Sequence, residues 1–348
     1  MAANNIIKVF VIDDSLVFDK FLSQELPKVN PNIQVIGYST DPLDALRKIP
    51  QLKPDVITLD VEMPRMDGIS FLKELLPKHP IPVILASSLS VDVFDALSYG
   101  AVDFVKKPDM SRNYNAQIFA QSLVSKIIIA SRATVHQPEV PSPQTTSSSH
   151  TATPLSYSSM LIAIGASTGG TEATVQILKE LPGNLPGILI TQHMPEGFTK
   201  MYADRLNKLC QMEVREAKDG DIIHPGLALV APGGDLQMKV VRDGNQYRIR
   251  CYPGEKVNGH RPSVDVLFHS VAETAGQKAV GIILTGMGQD GAQGLLHMRK
   301  SGAYTIGQDK ESCVVYGMPM VAHQIGGVTT QASCQNIASV LMTYLRKL

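Results

Sequence analysis

The chain has 348 residues, 44% hydrophobic and 18% charged, with 32 Lys and Arg balanced by 32 Asp and Glu. That length holds two ordinary domains, and the composition is that of core-forming globular protein. Zero formal net charge excludes a general attraction to nucleic acid or to an anionic membrane surface. The start, Met1-Ala2-Ala3-Asn4-Asn5, lacks a basic n-region, and the next apolar run is interrupted by Lys8 and Asp13-Asp14. No apolar stretch is long enough to span a bilayer, so a cytoplasmic protein without signal peptide or membrane insertion is expected.

Short apolar runs lead the chain: Lys8 to Ile12, Ile33 to Tyr38, Val56 to Leu59, Val83 to Ala86 and Asp103 to Val105. Helical stripes alternate with them, one through Leu16, Phe21, Leu22 and Leu26, another through Phe71, Leu72, Leu75 and Leu76, and a last from about Asn115 to Arg132. Such βα units predict a doubly wound five-stranded parallel sheet over residues 1–132. In that sheet Asp13 and Asp14 follow the first strand and Asp60 follows the third, at neighbouring strand ends. Three converging carboxylates repel unless a cation lies between them. Oxygen ligands of this kind suit Mg²⁺ and one carboxylate attacking a phosphoryl donor. Lys107 after the fifth strand and Ser87 after the fourth are placed to read the added phosphate. A lone Asp at a strand end more often caps a loop or helix, so the set as a whole carries the reading.

Residues 133–159 change character. They hold Pro138, Pro141, Pro143 and Pro154 among Ser and Thr, with one acidic residue, Glu139, and no Lys or Arg. A flexible linker is expected, since so little apolar surface cannot offset chain entropy.

Residues 160–348 read as a second α/β domain. Buried-strand runs Met160 to Ile164, Ile188 to Thr191 and Val280 to Leu284 each end where a polar motif begins, which is where ligands bind in parallel α/β sheets. Pro232-Gly233-Gly234 and Asp243-Gly244 read as turns of an antiparallel hairpin within Leu227 to Tyr252. Helices are expected at Thr171 to Leu181, Val264 to Glu273 and Ala292 to Lys300. Gly165-Ala166-Ser167-Thr168-Gly169 fits G-x-S-x-G, a serine on a tight strand-to-helix turn. His193 and Asp290 stand at two other strand ends, supplying a base and its orienter. The chain order Ser, His, Asp differs from those of chymotrypsin, subtilisin and the α/β-hydrolases. Backbone N–H groups of Gly286-Met287-Gly288 are candidates for an oxyanion hole. Cys210, Cys251, Cys313 and Cys334 form no CxxC pair, so reduced thiols are expected, and no cofactor is expected in this half.

Two resemblances follow from these residues. The first half resembles the response-regulator receiver domain through Val11-Ile12-Asp13-Asp14, Leu59 to Gly68, Ser87-Ser88 and Lys107-Pro108. That resemblance implies phosphorylation at Asp60. It also implies Mg²⁺ on Asp13, Asp14, Asp60 and the Glu62 backbone carbonyl, and phosphate reading by Ser87 and Lys107. The segment between Ser87 and Lys107 is short for the family, so an abbreviated fourth helix is expected.

The second half resembles the chemotaxis protein-glutamate methylesterase family, CheB. The matching segments are Gly165 to Thr171, Thr191 to Thr199, His260 to Asp265 and Thr285 to Gly291. The resemblance implies a Ser167-His193-Asp290 triad, oxyanion stabilisation by Met287, and His260 and Arg261 along the substrate region. Its substrates are glutamyl methyl esters, and particular glutamines, of chemoreceptors as partners, with the chemotaxis histidine kinase as phosphodonor. The domain order adds the expectation that the receiver inhibits the hydrolase until Asp60 is phosphorylated. A catalytically dead receptor-docking scaffold is the alternative, and a DNA-binding regulator is disfavoured because no basic helix-turn-helix pattern is present.

Overall fold

The structure, a computed structural model, describes residues 6–87, 92–108, 113–135 and 159–348. The chain forms two compact units, Met1–Val140 and Pro141–Leu348. Most of the expected linker, residues 136–158, lies outside the described residues.

In the first unit the apolar runs become β1 (Ile7–Ile12), β2 (Ile33–Ser39), β3 (Val56–Asp60), β4 (Val83–Ser87) and β5 (Asp103–Lys106). They pair in parallel in the order β2-β1-β3-β4-β5. Helices α1 (Leu16–Val29), α2 (Pro42–Leu52), α3 (Gly68–Leu75), α4 (Asp92–Ser98) and α5 (Asn113–Ala130) alternate with the strands. Three begin on side-chain caps: Ser15 accepts from Phe18 N–H, Asp41 from Leu43 N–H and Asp67 from Ser70 N–H, each contributing about 1 kcal/mol. Phe71, Leu72, Leu75 and Leu76 are fully buried, as their spacing requires. The α1 stripe runs differently from the expectation. Leu16 is exposed, and Phe18 with Leu22 and Leu26 forms the buried face. Phe18 packs on Phe119 of α5, ring centroids 5.6 Å apart. Among the described residues helix α4 spans seven, Asp92–Ser98.

In the second unit β6 (Leu161–Ala166), β7 (Gly187–Gln192), β8 (Glu213–Glu216), β10 (Leu227–Val230), β13 (Ala279–Ile283), β14 (Tyr304–Gln308) and β15 (Thr330–Ala332) form one sheet. Its order is β15-β14-β13-β6-β7-β10-β8, and every pairing is parallel. Around it lie α6 (Gly170–Lys179), α7 (Phe198–Leu209), α8 (Val264–Ala275), α9 (Ala292–Lys300), α10 (Met318–Gln324) and α11 (Cys334–Leu345). The expected hairpin is β11 (Leu236–Asp243) with β12 (Gln246–Pro253), turning at Gly244, and β9 (Ile222–Ile223) adds a third antiparallel strand. Pro232-Gly233-Gly234 is not a hairpin turn. It leads from β10, whose four residues are all buried in the parallel sheet, to β11. Strand β6 lies centrally, between β13 and β7, so the loops after these three strands meet at one sheet edge.

Candidate active site and phosphoacceptor site

In the first unit, register Ile12↔Leu59 brings the ends of β1 and β3 side by side. Asp13, Asp14 and Asp60 each offer an oxygen within 4.8 Å of the others. Unlike Asp41 and Asp67, they cap no helix, although Asp13 Oδ1 accepts from Ser15 N–H and Asp60 Oδ1 from Glu62 N–H in local turns. Lys107 N–H donates to Ser87 O, extending the β4–β5 ladder by one bond. Its ammonium thereby reaches Asp13 Oδ2 at 2.7 Å and Asp60 Oδ2 at 2.6 Å, while Lys106 faces solvent. Burial favours a neutral Lys107, but Asp13 and Asp60 outweigh it and hold the ammonium above its usual range. Burial likewise lifts the Asp13 carboxyl, with Lys107 pulling the other way. Ser87 Oγ is buried and has no hydrogen-bond partner among the described residues. A buried orphan hydroxyl is unfavourable by about 1–3 kcal/mol until an acceptor arrives. Three hard carboxylate donors, with Asp14 exposed to solvent, fit a hydrated Mg²⁺ ion.

Asp19 was not singled out by sequence. It follows Phe18 and precedes Leu22 on the buried face of α1, is 0% exposed, and among the described residues neither carboxylate oxygen has a hydrogen-bond partner. Burial, reinforced by the charge of Asp13, pushes its carboxyl up to about 8. An unfolded Asp titrates near about 3.9. Between those values the folded chain binds the extra proton, so stability falls as pH rises from about 4 to about 8. Asp19→Asn copies the neutral form. Urea titrations should show it more stable than the parent by about 5 kcal/mol at pH 8, with the gap shrinking towards pH 5. A gap independent of pH contradicts this account.

In the second unit Ser167 sits between β6 and α6, half-buried at the sheet edge. Gly169 holds φ +77°, and a Cβ there would meet Val314 at 2.6 Å. A Cβ on Gly286 would lie 2.7 Å from Ser167 Cβ, so the loop after β13 closes directly over the serine. Ser167 N–H donates to Thr285 O, and Thr285 Oγ1 donates to Thr168 O. Gln192 Nε2 donates to Ser167 O at 2.9 Å and to His193 O at 3.3 Å, so one buried amide ties the two backbones.

His193 Nε2 lies 2.8 Å from Asp290 Oδ2. Asp290 is 1% exposed and also accepts from Val264 N–H, Ser263 Oγ, Asn258 Nδ2 and Asp265 N–H. Burial alone raises its pKa, but the bonds from His193, Asn258 and Ser263 hold the carboxyl far below the usual range. An ionised carboxylate only accepts, so His193 Nε2 is the donor. In neutral His193 the lone pair is then on Nδ1, which is buried and has no partner among the described residues. Hence Ser167 Oγ is not bonded to it in this state; such contacts often tighten only with substrate. Gly286 N–H is held by Val315 O, whereas among the described residues Met287 N–H and Gly288 N–H have no protein acceptor. They are therefore available to a developing oxyanion. The ring of His260 stacks on His193 with centroids 3.6 Å apart. Arg261 Nε donates to Gly234 O at 3.0 Å and Nη1 to Gly254 O at 2.7 Å, and Nη2 contacts Asp235, so its guanidinium orders two loops.

Sequence reading passed over Asn258 and gave Ser263 no role, although both hold Asp290. Their signal was faint: Asn258-Gly259 reads first as a turn pair and Ser263 as a helix cap.

An acidic cluster beside Lys107 on one unit, and Ser167, His193 and Asp290 on neighbouring loops of the other, are the features of a response regulator with a hydrolase output. Models of the CheB methylesterase family and of the response regulator receiver domain match residues 162–341 and 9–118. The chain is 50% identical over 343 residues, 98% of each chain, to "Protein-glutamate methylesterase/protein-glutamine glutaminase 2" of Syntrophomonas wolfei. It is 47% identical to the protein-glutamate methylesterase/protein-glutamine glutaminase of Shigella flexneri, over 96% of this chain and 97% of that one. The crystal structure of the Thermotoga maritima CheB methylesterase catalytic domain aligns with TM-score 0.52 and 36% identity, over 54% of this chain and 99% of that one. The chain belongs to the CheB methylesterase family.

Proposed function

We propose that this chain is a cytoplasmic, phosphorylation-activated hydrolase that converts glutamyl methyl esters of chemoreceptors to glutamate and methanol, and deamidates receptor glutamines. The observation that carries the reading is the 2.8 Å bond to a buried, ionised Asp290 from the Nε2 of His193, which follows the strand paired with that of Ser167. Ser167 Oγ attacks the ester carbonyl while His193 Nδ1 takes its proton. The N–H of Met287 donates to the oxyanion of the tetrahedral intermediate. His193 then protonates the leaving methanol, and water releases glutamate from the acyl-enzyme by the same route. A glutamine amide passes through a similar intermediate and leaves as ammonia.

Asp60 accepts a phosphoryl group from the chemotaxis histidine kinase. Asp13, Asp14, Asp60 and the Glu62 carbonyl would hold Mg²⁺, which would supply charge neutralisation when bound. Lys107 pairs with the new phosphate and the orphan Ser87 Oγ donates to it. Phosphorylation relieves inhibition of the hydrolase by the receiver. Among the described residues no helix is long and apolar enough to cross a membrane, which suits action on receptor segments from the cytoplasmic side.

A serine-reactive fluorophosphonate tests the enzymatic reading against a docking scaffold. It should label Ser167 within the intact chain, and labelling should fall by about 100-fold or more in His193→Ala, which lacks the base. An unlabelled Ser167 in folded protein favours the scaffold.

A further inference from the structure

The segment Val257 to His260 lies between β12 and α8. Val257 N–H donates to His260 O at 3.0 Å and His260 N–H to Val257 O at 2.9 Å, closing a two-residue loop. Asn258 has φ +52° and Gly259 φ +82°, the left-handed pair that a type I′ turn requires and Asn-Gly suits. From this turn two side chains reach the His193–Asp290 pair. Asn258 Nδ2 donates to Asp290 Oδ1 at 3.0 Å and to Asp265 Oδ2 at 2.7 Å, so one amide bridges two buried carboxylates. The His260 ring lies flat on the His193 ring, with 4° between their planes.

We propose that the Val257–His260 turn is a positioning element for the triad, with Asn258 fixing the orienting carboxylate and His260 fixing the plane of the catalytic imidazole. The inference rests on the reading of Ser167, His193 and Asp290 as the reacting groups. A ring tethered through Nε2 alone can still swing about that bond and carry Nδ1 off its target. A second flat ring at 3.6 Å stops the swing on one face. It also presents a π-face to the imidazolium that forms when His193 takes the proton. Asn258 acts on the oxygen that His193 does not use. It keeps Asp290 from turning and separates it from Asp265, whose carboxyl burial and the Asp290 charge already lift. A misplacement of this kind lowers the rate of the chemical step rather than substrate affinity.

The test measures methanol release from methylated receptor membranes by the full-length chain and by Asn258→Gly, His260→Gln and His260→Phe. Glycine keeps the positive φ and hence the turn, and glutamine keeps bulk without a flat ring. Asn258→Gly and His260→Gln should each lower kcat by about tenfold or more with KM changed less than about twofold, and His260→Phe should recover most of the loss. A KM that rises with kcat unchanged would make these residues substrate contacts and overturn the inference, as would wild-type kinetics in both. Wild type and Ser167→Ala run alongside. A Ser167→Ala chain as active as wild type, or a wild type that releases no methanol, removes the underlying reading and the inference with it.

Discussion

Ser167→Ala should lose methyl ester hydrolysis by on the order of 10⁴-fold or more while the fold persists. Alanine keeps the Cβ against which the Gly286 loop closes, and the Ser167 N–H bond to Thr285 O is made by backbone. Only the hydroxyl is lost. His193→Ala should fall to a similar level, because nucleophile and base act in one step and their losses do not add. Asp290→Asn goes further. Backbone donors meet both oxygens, Val264 N–H at Oδ2 and Asp265 N–H at Oδ1. An amide NH₂ therefore faces a donor whichever way it turns. This variant should lose activity and several degrees of melting temperature together, whereas Ser167→Ala melts as the parent does. Kinetics on methylated receptor membranes and thermal melts separate the three, and near-normal turnover in Ser167→Ala excludes the triad.

Asp60→Asn should abolish acyl-phosphate labelling by a small phosphodonor. Asp60 is 5% exposed, ends β3 beside Asp13 and stands 2.6 Å from the Lys107 ammonium. An amide keeps the size of the side chain and removes the attacking oxygen anion. Folding should survive, since Lys107 retains Asp13 at 2.7 Å. Chelation of Mg²⁺ should stop labelling of the parent as well, because Asp13 and Asp14 alone leave the incoming phosphoryl charge unopposed. Hydroxylamine-sensitive label that persists in Asp60→Asn moves the acceptor to another residue.

The parallel sheets were legible because strands hidden on both faces read as unbroken apolar runs, as at Leu161–Ala166 and Val83–Ser87. Polar residues that follow such runs fall at the same edge of their own sheet, which is why the placing of Ser167, His193, Asp13 and Asp60 beyond strand ends was readable from spacing. Strand β10 was misassigned to a hairpin because Leu227–Val230 is too short to reveal a period and is flanked by turn residues that suit either sheet. In α1, Leu16 and Phe18 are both apolar, and only packing against Phe119 decides which one faces inward. Asn258 and Asp19 were invisible for a different reason. Their roles depend on carboxylates and rings brought together by tertiary structure, which local patterns do not encode.

Methanol release from methylated chemoreceptor membranes, with and without a small phosphodonor, measures the central claim. The wild type should release methanol slowly alone and faster with phosphodonor, Asp60→Asn should stay slow in both, and Ser167→Ala should release none. Release that survives Ser167→Ala, or a wild-type rate indifferent to the phosphodonor, contradicts a serine hydrolase controlled from Asp60.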